Sequence, residues 1–138
     1  MKQSIVELVK KGEDVVIIGP SDSGKTYFVI NKLIPGLEGE NLRVAYFEDG
    51  DHIDDKAVCD VVIFDEAETL SDQESIENQD GTPYPREYLD KVANWGVQYK
   101  VFNQPAIFIV SRKVEDAQVL VLNPPIFRHK PCRAIVFK

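Results

Sequence analysis

Val15-Val16-Ile17-Ile18-Gly19-Pro20-Ser21-Asp22-Ser23-Gly24-Lys25-Thr26 is the stretch on which the fold of this chain turns. Its four apolar residues read as a buried strand. The eight that follow fit the pattern G-x-x-x-x-G-K-[ST], in the strand-then-helix setting that this pattern requires. Thr26, Tyr27, Phe28, Val29, Ile30, Lys32 and Leu33 then read as a helix, which Pro35-Gly36 is expected to stop.

The residue types make chemical sense together. Gly19 and Gly24 allow backbone conformations that a side chain would forbid, so successive N–H groups can turn inward. With the helix N-terminus they would form a cradle for polyphosphate, contributed by Gly19, Pro20, Ser21, Asp22, Ser23, Gly24, Lys25 and Thr26. Lys25 would reach the β- and γ-phosphate oxygens as a point charge, and the Thr26 hydroxyl would sit on Mg²⁺.

The rest of the composition narrows the field. The chain has 138 residues, 43% of them hydrophobic and 28% charged, which predicts one soluble globular domain over 1–138. No apolar run approaches the ~18 residues of a membrane span. Met1 to Lys11 alternates Lys2, Glu7, Lys10 and Lys11 with Ile5, Val6, Leu8 and Val9, an amphipathic helix and not a secretion signal. A cytoplasmic protein is expected. Cys59 and Cys132 stand far apart with no metal-binding spacing, and read as free thiols.

The net charge of −7 is unevenly spread. Residues 1–99 carry 9 basic and 21 acidic side chains, and residues 100–138 carry 7 and 2. The acidic body argues against broad nucleic-acid binding. Only the basic C-terminal segment leaves room for it, and it is not favoured.

Along the chain, Gly12 reads as a C-cap of the first helix. Further strands are expected over 42–47, about 57–64, 106–110 and 134–137. An acidic loop (Glu48, Asp49, Asp51, Asp54, Asp55) follows the second strand, Ser71 to Pro85 reads as a loop, and Pro85 to about Gly96 as a helix. Strands alternating with helices imply an α/β fold, a mainly parallel sheet of about five strands with helices on both faces. The ligand should sit outside the carboxyl ends of the strands.

With this loop in this setting the chain resembles the P-loop NTPases, which implies a three-layer core. Val61-Val62-Ile63-Phe64-Asp65-Glu66 is similar to their Walker B element. The resemblance implies that Asp65 holds Mg²⁺ and its waters and that Glu66 polarises the attacking water, as in the ATPase branch with an additional strand. A plain acidic cap on a buried strand is the competing reading. Ala106-Ile107-Phe108-Ile109-Val110-Ser111-Arg112 resembles the sensor strand of signal-transduction ATPases, AAA+ proteins and superfamily-three helicases. It would lie beside the Gly19 strand and make Arg112 a phosphate sensor; a surface arginine is the alternative. Arg128 and Arg133 fall where AAA+ proteins carry a finger for a neighbouring subunit, although a basic surface turn explains them as well, and an oligomer is compatible with the sequence. Neither the helical lid of AAA+ proteins nor the winged helix of signal-transduction ATPases is expected after the last strand.

Taken together, these readings point to binding and Mg²⁺-dependent hydrolysis of a nucleoside triphosphate, ATP before others. Lys25, Glu66 and Arg112 would act in the chemistry, and Thr26 and Asp65 on the metal. A small-molecule or nucleotide kinase using the same loop is the alternative, with Glu48, Asp49 and Asp51 near the acceptor. A non-hydrolysing interaction module is the third reading.

Overall fold

The computed structural model describes residues 1–20, 23–48, 58–65, 102–111 and 132–137, and of Cys132 the backbone alone. Among the described residues five strands form one sheet: β1 (Asp14–Gly19), β2 (Val44–Phe47), β3 (Val61–Phe64), β4 (Ala106–Ser111) and β5 (Cys132–Val136). Their order is β2-β3-β4-β1-β5, and all four pairings are parallel. The fold is therefore α/β.

Alternation along each strand explains why the sheet is buried on both sides. Val15 and Ile17 of β1 face one way, with Val61, Ile63, Ile107 and Ile109 from β3 and β4. Two helical stretches pack on that face. Helix α1 (Lys2–Lys10) contributes Ile5, Val6 and Val9, and the stretch after the Gly19–Thr26 loop contributes Val29, Leu33 and Leu37. The opposite face holds Val16, Ile18, Val62, Phe64, Phe108 and Val110 with Phe47 and Phe102, equally buried. Here the ring centroids of Phe64 lie 5.6 Å from Phe108 and 5.9 Å from Phe102, separations at which offset and edge contacts are attractive. The helix expected from Pro85 to Gly96 lies outside the described residues.

The boundaries differ in places from those expected: β3 begins at Val61 and not near residue 57, which leaves Cys59 ahead of it, and β5 begins at Cys132 and not at 134. Gly12 caps α1 as expected: its φ is +83°, its N–H bonds Val9 O, and the next N–H, of Glu13, bonds Leu8 O. Those two bonds are the Schellman arrangement.

Pro35, in contrast, does not stop the second helix. The backbone stays helical from Lys25 to Gly39, as α2 (Lys25–Phe28), a π-helical turn (Val29–Leu33) and α3 (Ile34–Gly39). Proline has no N–H to give and its ring crowds the carbonyl four residues back, which ends a regular α-helix. The wider π turn immediately before Pro35 relieves that conflict, while burial of Leu33 and Leu37 rewards keeping the helix on the sheet. The stretch ends instead at Asn41, φ +62°, where Asn41 N–H bonds Glu38 O and Leu42 N–H bonds Leu37 O. This is a second Schellman end, with asparagine taking the left-handed position.

Candidate functional site

At the carboxyl end of β1 the chain leaves the sheet through Gly19 and Pro20 and re-enters regular structure at Gly24. Gly24 takes φ +90° as it starts α2, a conformation that a residue with a Cβ adopts only at a cost. Gly19 is needed for a different reason from the one its motif implies. Its φ is not positive; space is what forbids a side chain there. A Cβ on Gly19 would stand 2.8 Å from the carbonyl oxygen of Phe137 and 3.3 Å from Lys25 Cδ. The Phe137 backbone is itself tied down, its N–H donating to Ile18 O at 2.7 Å, and its ring packs on Phe28 with centroids 5.4 Å apart. Gly19→Ala is therefore expected to cost about 1–3 kcal/mol, as overpacking does. The measurement is chemical denaturation, and unchanged stability would show that the end of β5 yields freely.

Lys25 is drawn into the loop that precedes it. The side chain is 5% exposed, and Nζ donates to Gly19 O at 2.9 Å, Pro20 O at 2.5 Å and Ser23 Oγ at 3.4 Å. A buried ammonium needs such acceptors, since leaving water unpaired is expensive. The lysine thus ties Gly19, Pro20 and Ser23 together around its own charge.

Thr26, one residue on, reaches across the sheet. Its hydroxyl donates to Asp65 Oδ2 at 3.1 Å, although β4 stands between β1 and β3 in the sheet order. Asp65 closes β3 and is 5% exposed, and its own N–H bonds Phe47 O on β2. Two residues that the sequence assigned separately to the metal are therefore neighbours. The donor set is all oxygen, the kind preferred by a hard divalent cation such as Mg²⁺. Among the described residues, no three His, Cys, Asp or Glu side chains converge into a cage of their own.

The comparisons with known proteins reach the fold and stop there. No family model and no curated protein matches the chain. A crystal structure of Rif2 in complex with the C-terminal domain of Rap1 is similar over 98% of this chain and 52% of that one, with a TM-score of 0.50 and 16% identity. A crystal structure of Saccharomyces cerevisiae Rif2 aligns over 97% of this chain and 53% of that one, with a TM-score of 0.44 and 13% identity. This chain spans about half the length of those proteins. What the first of them shares with this chain is the α/β fold alone.

The remaining sequence-assigned residues divide by position. Ser111, at the end of β4, stands beside Gly19 in the parallel register, so the strand read as a sensor does adjoin β1. Ser21, Asp22, Glu66, Arg112 and Arg128 lie outside the described residues, as do Asp49 and Asp51. Arg133 is aligned with Val15, near the amino end of β1, and pairs with Glu13 at 3.4 Å, at the opposite end of the strands from the loop. Cys59 is a buried free thiol, as expected, and burial pushes its pKa up. Among the described residues no helix is long and apolar enough to cross a membrane.

One residue of this site escaped the sequence reading. The Tyr46 hydroxyl donates to Asp65 Oδ2 at 2.6 Å and lies 3.3 Å from Glu48 Oε1. Burial, and then the two carboxylates, push the phenol far above its ordinary pKa, so it stays a proton donor well into alkaline solution. Tyr46 sits two residues from Glu48 on the same side of β2. That period-two spacing, at the carboxyl end of a strand, was the available signal.

Proposed function

We propose that this chain binds a nucleoside triphosphate, most readily ATP, at residues 19–26 and hydrolyses it with Mg²⁺. One observation carries the reading: the Thr26 hydroxyl lies against Asp65, 3.1 Å away, beside a loop that buries Lys25. An ordinary glycine turn has no reason to bring a hydroxyl onto the buried carboxylate of another strand. The sheet order also supports a three-layer P-loop core, with β4 between β1 and β3 and both faces buried.

The roles follow from the chemistry of the groups. Lys25 would exchange its loop carbonyls for β- and γ-phosphate oxygens, which are stronger acceptors for an ammonium. Mg²⁺, held by Thr26 and Asp65, would neutralise charge on those same oxygens. Because the described residues supply few ligands, the nucleotide itself would complete the coordination, the usual situation for Mg²⁺. Glu66, next to Asp65 in the chain, would orient the attacking water. Arg112, next to Ser111, would face the γ-phosphate.

The deciding experiment measures phosphate release from ATP and GTP in the presence and absence of DNA, RNA and small-molecule acceptors. Turnover with water alone supports the ATPase. Turnover only with an acceptor would move the assignment to a kinase.

Arg112 gives a sharper expectation. A cation at the γ-phosphate interacts with ATP and with the transition state but not with ADP. Arg112→Ala should slow hydrolysis and weaken ATP binding while leaving ADP binding unchanged, as titration calorimetry with both nucleotides would read. Equal losses for the two would place the arginine on the α- and β-phosphates or on the fold. A surface bystander would change neither.

A second reading is an interaction module that keeps the loop as scaffold. It draws on the Rif2 structure of similar fold, which is a complex with the C-terminal domain of Rap1. Absence of both nucleotide binding and turnover in the experiment above would favour it.

A further inference from the structure

Asp65 Oδ2 receives two donors from two different elements, Thr26 of α2 at 3.1 Å and Tyr46 of β2 at 2.6 Å. The phenol has one proton, and the shorter contact takes it. Glu48 Oε1, 3.3 Å from the phenol oxygen, is left the weaker share. We propose that Tyr46 is a positioning residue for the divalent cation: it clamps the Asp65 carboxylate against Thr26 and so sets how tightly the nucleotide site takes its metal. The proposal deepens the nucleotide reading above and rests on it.

The physical case is one of lost freedom. A carboxylate at the end of a strand can turn about two side-chain bonds, and each orientation offers the metal a different set of lone pairs. Two donors converging on one oxygen remove that choice before the cation arrives. Thr26 benefits as well. While its proton is given to Asp65, the hydroxyl rotor is fixed and its lone pairs are left for a cation. Letting Asp65 swing would release both ligands at once. Partners that orient metal ligands in this way are worth 10- to 100-fold in metal affinity where they have been removed. Tyr46 is suited to the task because its ring packs against the buried cluster between sheet and helices, which fixes the position of its hydroxyl.

Tyr46→Phe deletes the hydroxyl and keeps the ring, so packing survives. The probe is Mn²⁺, an oxygen-seeking stand-in for Mg²⁺. Its affinity is measured by electron paramagnetic resonance with a saturating non-hydrolysable ATP analogue, and analogue affinity is measured separately in excess chelator. The variant should bind Mn²⁺ about 10-fold or more weakly, with metal-free analogue affinity unchanged. In an Asp65→Ala background the same substitution should add nothing further, because the group it positions has gone. Wild-type Mn²⁺ affinity in Tyr46→Phe would overturn the positioning role while leaving the nucleotide reading intact. So would an equal loss of metal-free analogue affinity, which would mean that Tyr46 supports the loop. A wild-type chain that takes up no Mn²⁺ with the analogue would remove the nucleotide reading and this inference together.

Discussion

Lys25→Ala is expected to remove half or more of the thermal stabilisation that Mg-ATP gives the wild-type chain. A ligand that binds only the folded state stabilises it by about 2.7 kcal/mol at one hundred times its Kd. A hydrogen bond to a charged group contributes roughly 1.5–3 kcal/mol, so losing the ammonium should weaken binding on the order of 10- to 100-fold. At the upper end the same ligand concentration only equals the new Kd and leaves about 0.4 kcal/mol. Lys25 also has a role without ligand, since its Nζ ties Gly19 O and Pro20 O together. The melting temperature of the nucleotide-free variant must therefore be recorded alongside. A lower value there reports the loosened loop; the missing ligand shift reports the lost phosphate contact. If calorimetry gave wild-type nucleotide affinity for Lys25→Ala, the phosphates would be held elsewhere and the assignment of residues 19–26 would be wrong.

Glu66→Gln should separate binding from chemistry. The substitution keeps size and hydrogen bonding but removes the base that would orient and polarise water. Mg-ATP affinity should stay at the wild-type value while turnover falls by a factor on the order of 10² or more, the usual contribution of general-base catalysis. Single-turnover phosphate release under saturating nucleotide is the measurement, since it isolates the chemical step. A variant hydrolysing at the wild-type rate would clear Glu66 of the role and direct attention to Glu48. That carboxylate follows β2, the neighbouring strand, and lies 3.3 Å from the Tyr46 hydroxyl that donates to Asp65.

What the sequence made legible was the part governed by neighbours in the chain. Val15 to Ile18 form a buried strand because an unbroken apolar run between helices suits a sheet covered on both faces. Gly12 takes its left-handed turn because a helix end needs one, and the bonds that form it span only five residues. Where the local signal competed with packing, the reading failed. Pro35 carries a strong stop signal, yet the helix runs on to Gly39 with a π turn absorbing the conflict, because Leu33 and Leu37 are both fully buried. Gly19 belongs to a motif that explains glycine by backbone freedom, while the structure explains it by the Phe137 carbonyl arriving from the far end of the chain.

By itself, then, the sequence determined an α/β chain whose first strand leads through a glycine-bounded loop into a helix, with acidic residues closing another apolar strand. Tertiary structure alone decided which of these meet. Thr26 touches Asp65, Asp65 is shared with Tyr46, and Arg133 falls at the opposite end of the strands from the loop, all through the order β2-β3-β4-β1-β5 and its registers. Strand order is a non-local choice: it follows from burying two apolar faces at once, and that burial depends on the whole set of strands and helices, not on any single stretch.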